Sequence, residues 1–144
     1  GIRVSELKYI TLEAVERGKA EISLKGKIRT ILLPGDLRRK LKKYAKRENI
    51  RSGELFLTRN GNSLSRKQIW AEMKAVCLLA GVLPSKVFPH NLRHLFARTF
   101  YRACKDVAKL ADLLGHSSIE TTRIYLLSTG AEHVKALEQL HLIS

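Results

Sequence analysis

A chain of 144 residues with 44% hydrophobic side chains is long enough for one domain with a real core and too apolar for a disordered polymer. Lys and Arg number 27 against 13 Asp and Glu, a formal charge of +14, so a polyanion, and nucleic acid first, is the expected partner. No apolar run approaches the roughly 18 residues that span a bilayer, no leader pattern opens the chain, and no helix joins a basic face to an aromatic one as a membrane-surface segment would.

In chain order, "VSELKYI" starts a short helix with Val4, Leu7 and Ile10 or Leu12 on one side. "KAEISLKGKIRTILLP" then changes period. Ile22 and Leu24 alternate with polar residues, Lys25-Gly26-Lys27 makes a tight turn, and Ile28 to Leu33 returns as the second arm of a β-hairpin with a basic tip. Pro34 and Asp36 open a helix to about Asn49. Its apolar side is Leu37, Leu41, Tyr44 and Ala45. Arg38, Arg39, Lys40, Lys42, Lys43, Lys46 and Arg47 form the other face, read as a solvated outer face ahead of direct DNA contact. "ELFLT" reads as a short strand and "RNGNSLS" as a loop. Ser65 caps a helix to Ala80, which Gly81 stops.

The last sixty residues read as almost all helix. Pro89 suits the first turn of a helix to about Ala103. "KDVAKLADLLG" is the next, ended by Gly115. "SSIETTRIYLLS" follows, with Ser117 and Glu120 spaced as a capping box, and "AEHVKALEQLH" is the last. The fold class is therefore α+β, mostly helical with a small antiparallel sheet. Cys77 and Cys104 lie far apart in apolar helical patterns and belong to no CxxC pair. Both are expected as buried thiols of a reducing, cytoplasmic compartment.

"FPHNLRHLFA" sets His90, Arg93 and His94 on the first turns of a helix, against its positive end. A bound anion resolves the conflict. Helix-start N–H groups, the planar fork of Arg93 and an imidazole able to move a proton near neutral pH describe a phosphate cradle beside a proton-transfer group. The plainer reading is two ordinary histidines and an arginine paired with a carboxylate. A zinc site on His90 and His94 lacks the glutamate that follows the first histidine of a zinc-protease helix. On a 3.6-residue wheel Tyr125 falls with Ser118, Thr121 and Thr122, opposite Ile119, Ile124, Leu126 and Leu127, which argues against core packing. A phenol of pKa about 10 needs a base or clustered cations before it can attack phosphorus. His116, in the "LLGHSS" turn nine residues earlier, lies within short reach of that helix.

Taken together, "GIRVSEL", the basic hairpin, "FPHNLRHLFA" and "LADLLGHSSIETTRIY" resemble the catalytic domain of the tyrosine recombinases, the phage integrase family, over nearly the whole chain and in the family's order. The resemblance implies that Arg3 and Arg93 grip the scissile phosphate, His90 trades protons with the nucleophile and His116 donates to a phosphate oxygen. Tyr125 would be the nucleophile that forms a 3′-phosphotyrosine link, with no metal, ATP or other cofactor. Lys25, with Lys27 as its rival, would protonate the leaving 5′-oxygen. Glu6 would hold the helix or an active-site side chain, and His94 would pack or orient a neighbour.

The resemblance also implies double-stranded DNA as partner and a homotetramer on DNA for the full-length enzyme, with a monomer open for the isolated chain. Residues 1–144 are expected to be a catalytic domain truncated at its N-terminus, without the N-terminal DNA-clamping domain, and so a weak DNA binder. Two other readings stand beside it. "DVAKLADLLGHSSIETTRIYLL" mimics the helix-turn-helix of a non-enzymatic DNA-binding protein, and type IB topoisomerases share the phosphotyrosine chemistry.

Overall fold

The computed structural model describes residues 1–24 and 27–126. The chain divides into two compact units, Gly1–Arg93 and His94–Ser144.

The first unit opens on a 3₁₀ helix, Val4–Tyr9. A separate helix that the apolar spacing does not suggest follows it: α1, Leu12–Arg17. Thr11 causes the break. Its backbone is extended and its hydroxyl accepts from the Ala14 N–H at 3.1 Å, so it starts a new helix. Gly18 ends α1 at φ 80°, and a β-carbon there would meet the Arg38 guanidinium at 3.2 Å.

Strands β1, Lys19–Leu24, and β2, Lys27–Leu32, pair antiparallel, with Ala20 opposite Ile31, Ile22 opposite Arg29 and Leu24 opposite Lys27. The expected three-residue turn is thus one residue too long. Lys27 begins β2, and Lys25 and Gly26 lie outside the described residues. Opposed residues share a face. Ala20, Ile22 and Ile31 point into the core with Arg29 beside them, while Ile28 and Leu32 are exposed on the other face. The core adds Ile10, Ala14, Val15, Leu33, Ala45 and Leu55.

Helix α2, Gly35–Arg47, carries Asp36 in its first turn and Lys46 and Arg47 in its last, matching the helix dipole. Leu41, Tyr44 and Ala45 pack on the core, whereas Leu37 is exposed. The outer basic face is exposed, except for Arg38. Its Nε donates to Val15 O at 2.8 Å and its Nη2 to Glu16 O at 2.6 Å, so a cation satisfies the carbonyl end of α1.

"ELFLT" is not a strand. Glu54 and Leu57 make single bridges, to Thr11 and Ser63, and Leu55 between them is fully buried. A segment that turns back on itself at Thr58–Asn62 has no straight neighbour to extend a ladder. Helix α3, Arg66–Leu79, starts at Ser65, whose hydroxyl and backbone N–H exchange hydrogen bonds with Gln68 at 3.2 and 2.9 Å. A 3₁₀ turn, Pro84–Lys86, leads to α4, Pro89–Cys104, which begins at its proline as expected.

In the second unit, α5, Val107–Leu114, is capped by Asp106 and ended by Gly115 at φ 65°. Helix α6, Ile119–Arg123, passes into a 3₁₀ turn, Ile124–Leu126. Its cap is Ser118, whose hydroxyl accepts from Glu120 N, and not Ser117. Ala97, Leu110 and Leu114 form the core, with Phe96, Phe100, Tyr101, Tyr125 and Leu126 around it. Cys77 is buried, but Cys104, the last residue of α4, is exposed, because the chain turns away there through Lys105 at φ 55°. The segment "AEHVKALEQLH" lies outside the described residues. Among those described, no helix is long and apolar enough to cross a membrane.

Arg38→Ala is expected to lower the unfolding free energy by about 1–2 kcal/mol, and Lys42→Ala, on the exposed side of the same helix, by less than about 0.5 kcal/mol. Urea titration of both variants checks the contrast.

Candidate active site

The first group of candidate residues lies in the unit Gly1–Arg93. Arg3 precedes the first 3₁₀ turn with its backbone extended. Its N–H donates to Glu6 Oε2 at 2.7 Å, and its Nη1 lies 3.0 Å from Glu6 Oε1. Arg29 reaches the same Oε1 from β2, at 2.6 Å. The Glu6 side chain is 5% exposed, Arg29 14% and Arg3 44%. One buried carboxylate therefore fastens the Arg3 turn to the hairpin and leaves Arg3 the outermost of the three.

Burial pushes the Glu6 carboxyl up. The Arg3 N–H, the charge and hydrogen bond of Arg29 and the Arg3 guanidinium outweigh that, and hold it below its ordinary value of 4.5.

Arg93 sits one turn into α4, 5% exposed, and its Nη1 donates to Gly1 O, two residues before Arg3. The structure thus brings the Arg93 side chain to the segment that carries Arg3. His90, one turn earlier, is exposed. Lys25 lies outside the described residues; its rival Lys27 opens β2.

The second group lies in the unit His94–Ser144. The His94 ring stacks on Tyr125 with centroids 4.0 Å apart, and the His116 ring is tilted against it at 5.5 Å. The short reach from His116 to the phenol expected from the turn is therefore present. Tyr125 is half-buried against the Ala97, Leu110 and Leu114 cluster, so the wheel that set it apart from core packing is overturned.

Thr122 is fully buried, while Ile119 and Ile124 are 48% and 62% exposed. Two causes reverse the face. The helix tightens to 3₁₀ at Ile124, so one 3.6-residue wheel does not describe both sides of that point. The Thr122 hydroxyl also lies 2.8 Å from His116 Nδ1, which holds the polar side inward.

Two partners escaped sequence reading. Arg29 was visible in principle, since a residue opposite buried Ile22 must face inward, and an inward arginine requires a buried carboxylate. Thr122 as the partner of His116 had no sequence signal beyond its spacing of six. Among the described residues no three His, Cys, Asp or Glu side chains are grouped to hold a metal.

Glu6→Gln is expected to cost about 3 kcal/mol at pH 7, because Arg29 then lacks its anion. A carboxyl with a depressed folded pKa contributes its stability above its unfolded value and loses it as pH falls through the folded one. The gap between wild type and Glu6→Gln, measured by urea unfolding at pH 7 and at about pH 3.5, is therefore expected to shrink in acid.

The sequence model described as "Phage integrase family" matches residues 1–132. The tyrosine recombinase XerA of Pyrococcus furiosus is 36% identical over 151 residues, covering 99% of this chain and 51% of the relative. XerD of Xanthomonas campestris is 34% identical, covering 98% and 48%. The chain thus spans about half the length of these relatives. The crystal structure of XerA recombinase superposes with a TM-score of 0.80 at 24% identity, over 99% of this chain and 53% of that one. The XerH site-specific recombinase bound to its difH substrate superposes at 0.74 with 25% identity, over 92% and 41%. With more than nine-tenths of its length matched by one family model and its fold shared with recombinases, this chain belongs to the phage integrase family.

Proposed function

We propose that residues 1–144 are the catalytic portion of a site-specific DNA recombinase that cuts and rejoins DNA strands through a tyrosine. The observation that carries the reading is the setting of Tyr125, a half-buried phenol in ring contact with the imidazoles of both His94 and His116. Two further arginines, Arg3 and Arg93, and a net charge of +14 support it. So do relatives named as tyrosine recombinases.

In this mechanism Tyr125 Oη attacks the scissile phosphorus. The phosphorus–oxygen bond to the 5′ sugar breaks as the bond to Tyr125 forms. The phenol's proton passes to His90, and the leaving 5′-oxygen takes a proton from the hairpin lysine, Lys25 or Lys27. Arg3 and Arg93 hold the non-bridging oxygens and stabilise charge at the five-coordinate phosphorus. His116 donates to one of the same oxygens. The Thr122 hydroxyl engages His116 Nδ1 at 2.8 Å, so in this mechanism Nε2 is the nitrogen that makes that bond. Attack by a 5′-hydroxyl on the phosphotyrosine reverses the sequence. The bond energy stays in the link, so rejoining the strand needs no nucleotide.

The partner is double-stranded DNA, in the cytoplasm, with the full-length protein acting as a homotetramer on it. The helix-turn-helix reading has less support. Helix α6 runs five residues, about 7.5 Å at the usual rise, and turns Thr122 inward rather than toward a groove.

Incubation with a pool of nicked duplexes of randomised sequence is expected to give a denaturation-resistant protein–DNA adduct on a gel. Tyr125→Phe should give none, and Arg93→Ala should lower its rate by about 10²–10³-fold. An adduct formed equally by Tyr125→Phe would sink the reading. Thr122→Val is expected to slow adduct formation about tenfold by releasing the His116 ring. Quench-flow rates on the recovered substrate check this.

A further inference from the structure

We propose that Lys74 is a positioning residue for the start of α4, the helix that carries His90 and Arg93; the roles of those two residues rest on the recombinase reading above. A lysine in a helix interior ordinarily runs its ammonium out to water. Lys74 does not. Its Nζ donates to Val87 O at 2.8 Å and also to Pro84 O. The ammonium lies 4.8 Å from the Trp70 ring centroid and 5.9 Å from that of Phe88, within cation–π range of both. Trp70 is four residues earlier on α3, so it shares the lysine's face. Two carbonyls and two aromatic rings thus surround one charge.

What this charge holds is the entry to α4. Pro84 and Val87 bracket the 3₁₀ turn, in which Val87 N also bonds Pro84 O. Phe88 follows and accepts the first α4 hydrogen bond, from Leu92 N at 3.1 Å. Pro89 fixes its own φ and restricts Phe88 to extended backbone, so the direction of the helix is set at Val87 and Phe88. Asn91 adds a tie from its side chain to Lys86 O at 2.9 Å. Lys74 therefore bridges α3 to the last residues before His90. Loss of its two bonds lets the helix start shift and moves His90 and Arg93 together. A phosphate-binding lysine would instead present its ammonium outward and act through DNA affinity.

The test uses the nicked duplex that gives the Tyr125 adduct. Three readings are taken on each variant: single-turnover adduct rate at saturating DNA, DNA affinity, and hydrogen exchange of the peptide covering 88–93. Lys74→Met keeps the alkyl stem and removes the donors. It is expected to slow the adduct step about 10–100-fold, to leave DNA affinity within about twofold, and to speed exchange at 88–93 but not in the strands of the hairpin. Lys74→Arg, whose fork can meet both carbonyls, is expected to restore most of the rate. Lys67→Met removes the same charge from an exposed position of α3 and is expected to match wild type.

A wild-type rate in Lys74→Met overturns the proposal. So does a rate loss shared by Lys67→Met or matched by lost affinity. If the wild-type protein gives no Tyr125-dependent adduct, the recombinase reading fails by itself, and unchanged exchange at 88–93 in Lys74→Met still overturns the positioning role. Should Lys74→Met not fold, Trp70→Leu keeps both carbonyl bonds, removes one ring, and is expected to slow the step about threefold.

Discussion

The buried Glu6 carboxylate is the constraint on which the first unit's candidate site depends. It holds the backbone N–H and guanidinium of Arg3 and the guanidinium of Arg29 at once. A carboxylate so placed is stable only because two cations and an amide replace the water it lost. The consequence is geometric. The Arg3 turn cannot move away from the hairpin without exposing or stranding a charge. Arg29 is two residues from the start of β2, so the hairpin's inner face is fixed by the same group. Arg93 adds a tie from α4 to Gly1 O, and the segment before the first 3₁₀ helix is thereby held at both ends.

Much of this was legible in the sequence, and the failures have definite physical causes. Helix ends are legible where the cap chemistry is local: Ser65 and Pro89 as starts, Gly115 as a stop. The alternating pattern specifies the hairpin but makes its turn one residue longer than the pairing of Leu24 with Lys27 allows. Because side chains alternate, a one-residue error of register exchanges the two faces, and that error hid Arg29 as an inward cation. "ELFLT" has strand composition but makes only isolated bridges, since strand pairing depends on a neighbour that no local pattern specifies.

At Tyr125 the failure was of another kind. The wheel over 119–127 assumed one helical period and assumed that apolar residues define the buried side. The chain instead tightens at Ile124 and buries Thr122, whose hydroxyl meets His116, while Ile119 and Ile124 are exposed. Hydrophobicity gave way to a specific polar contact, which is common where chemistry rather than packing sets the requirement. The motif spacing around His116 and Tyr125 placed the two residues together correctly even though the face was wrong.

The most direct measurement is the chemical identity of the DNA-linked residue. The chain has four tyrosines, Tyr9, Tyr44, Tyr101 and Tyr125. After adduct formation, nuclease trimming and tryptic digestion, mass spectrometry should find the nucleotide remnant on the peptide that begins at Ile124, attached to Tyr125. A remnant on any other tyrosine, or on a serine or lysine, would contradict the account.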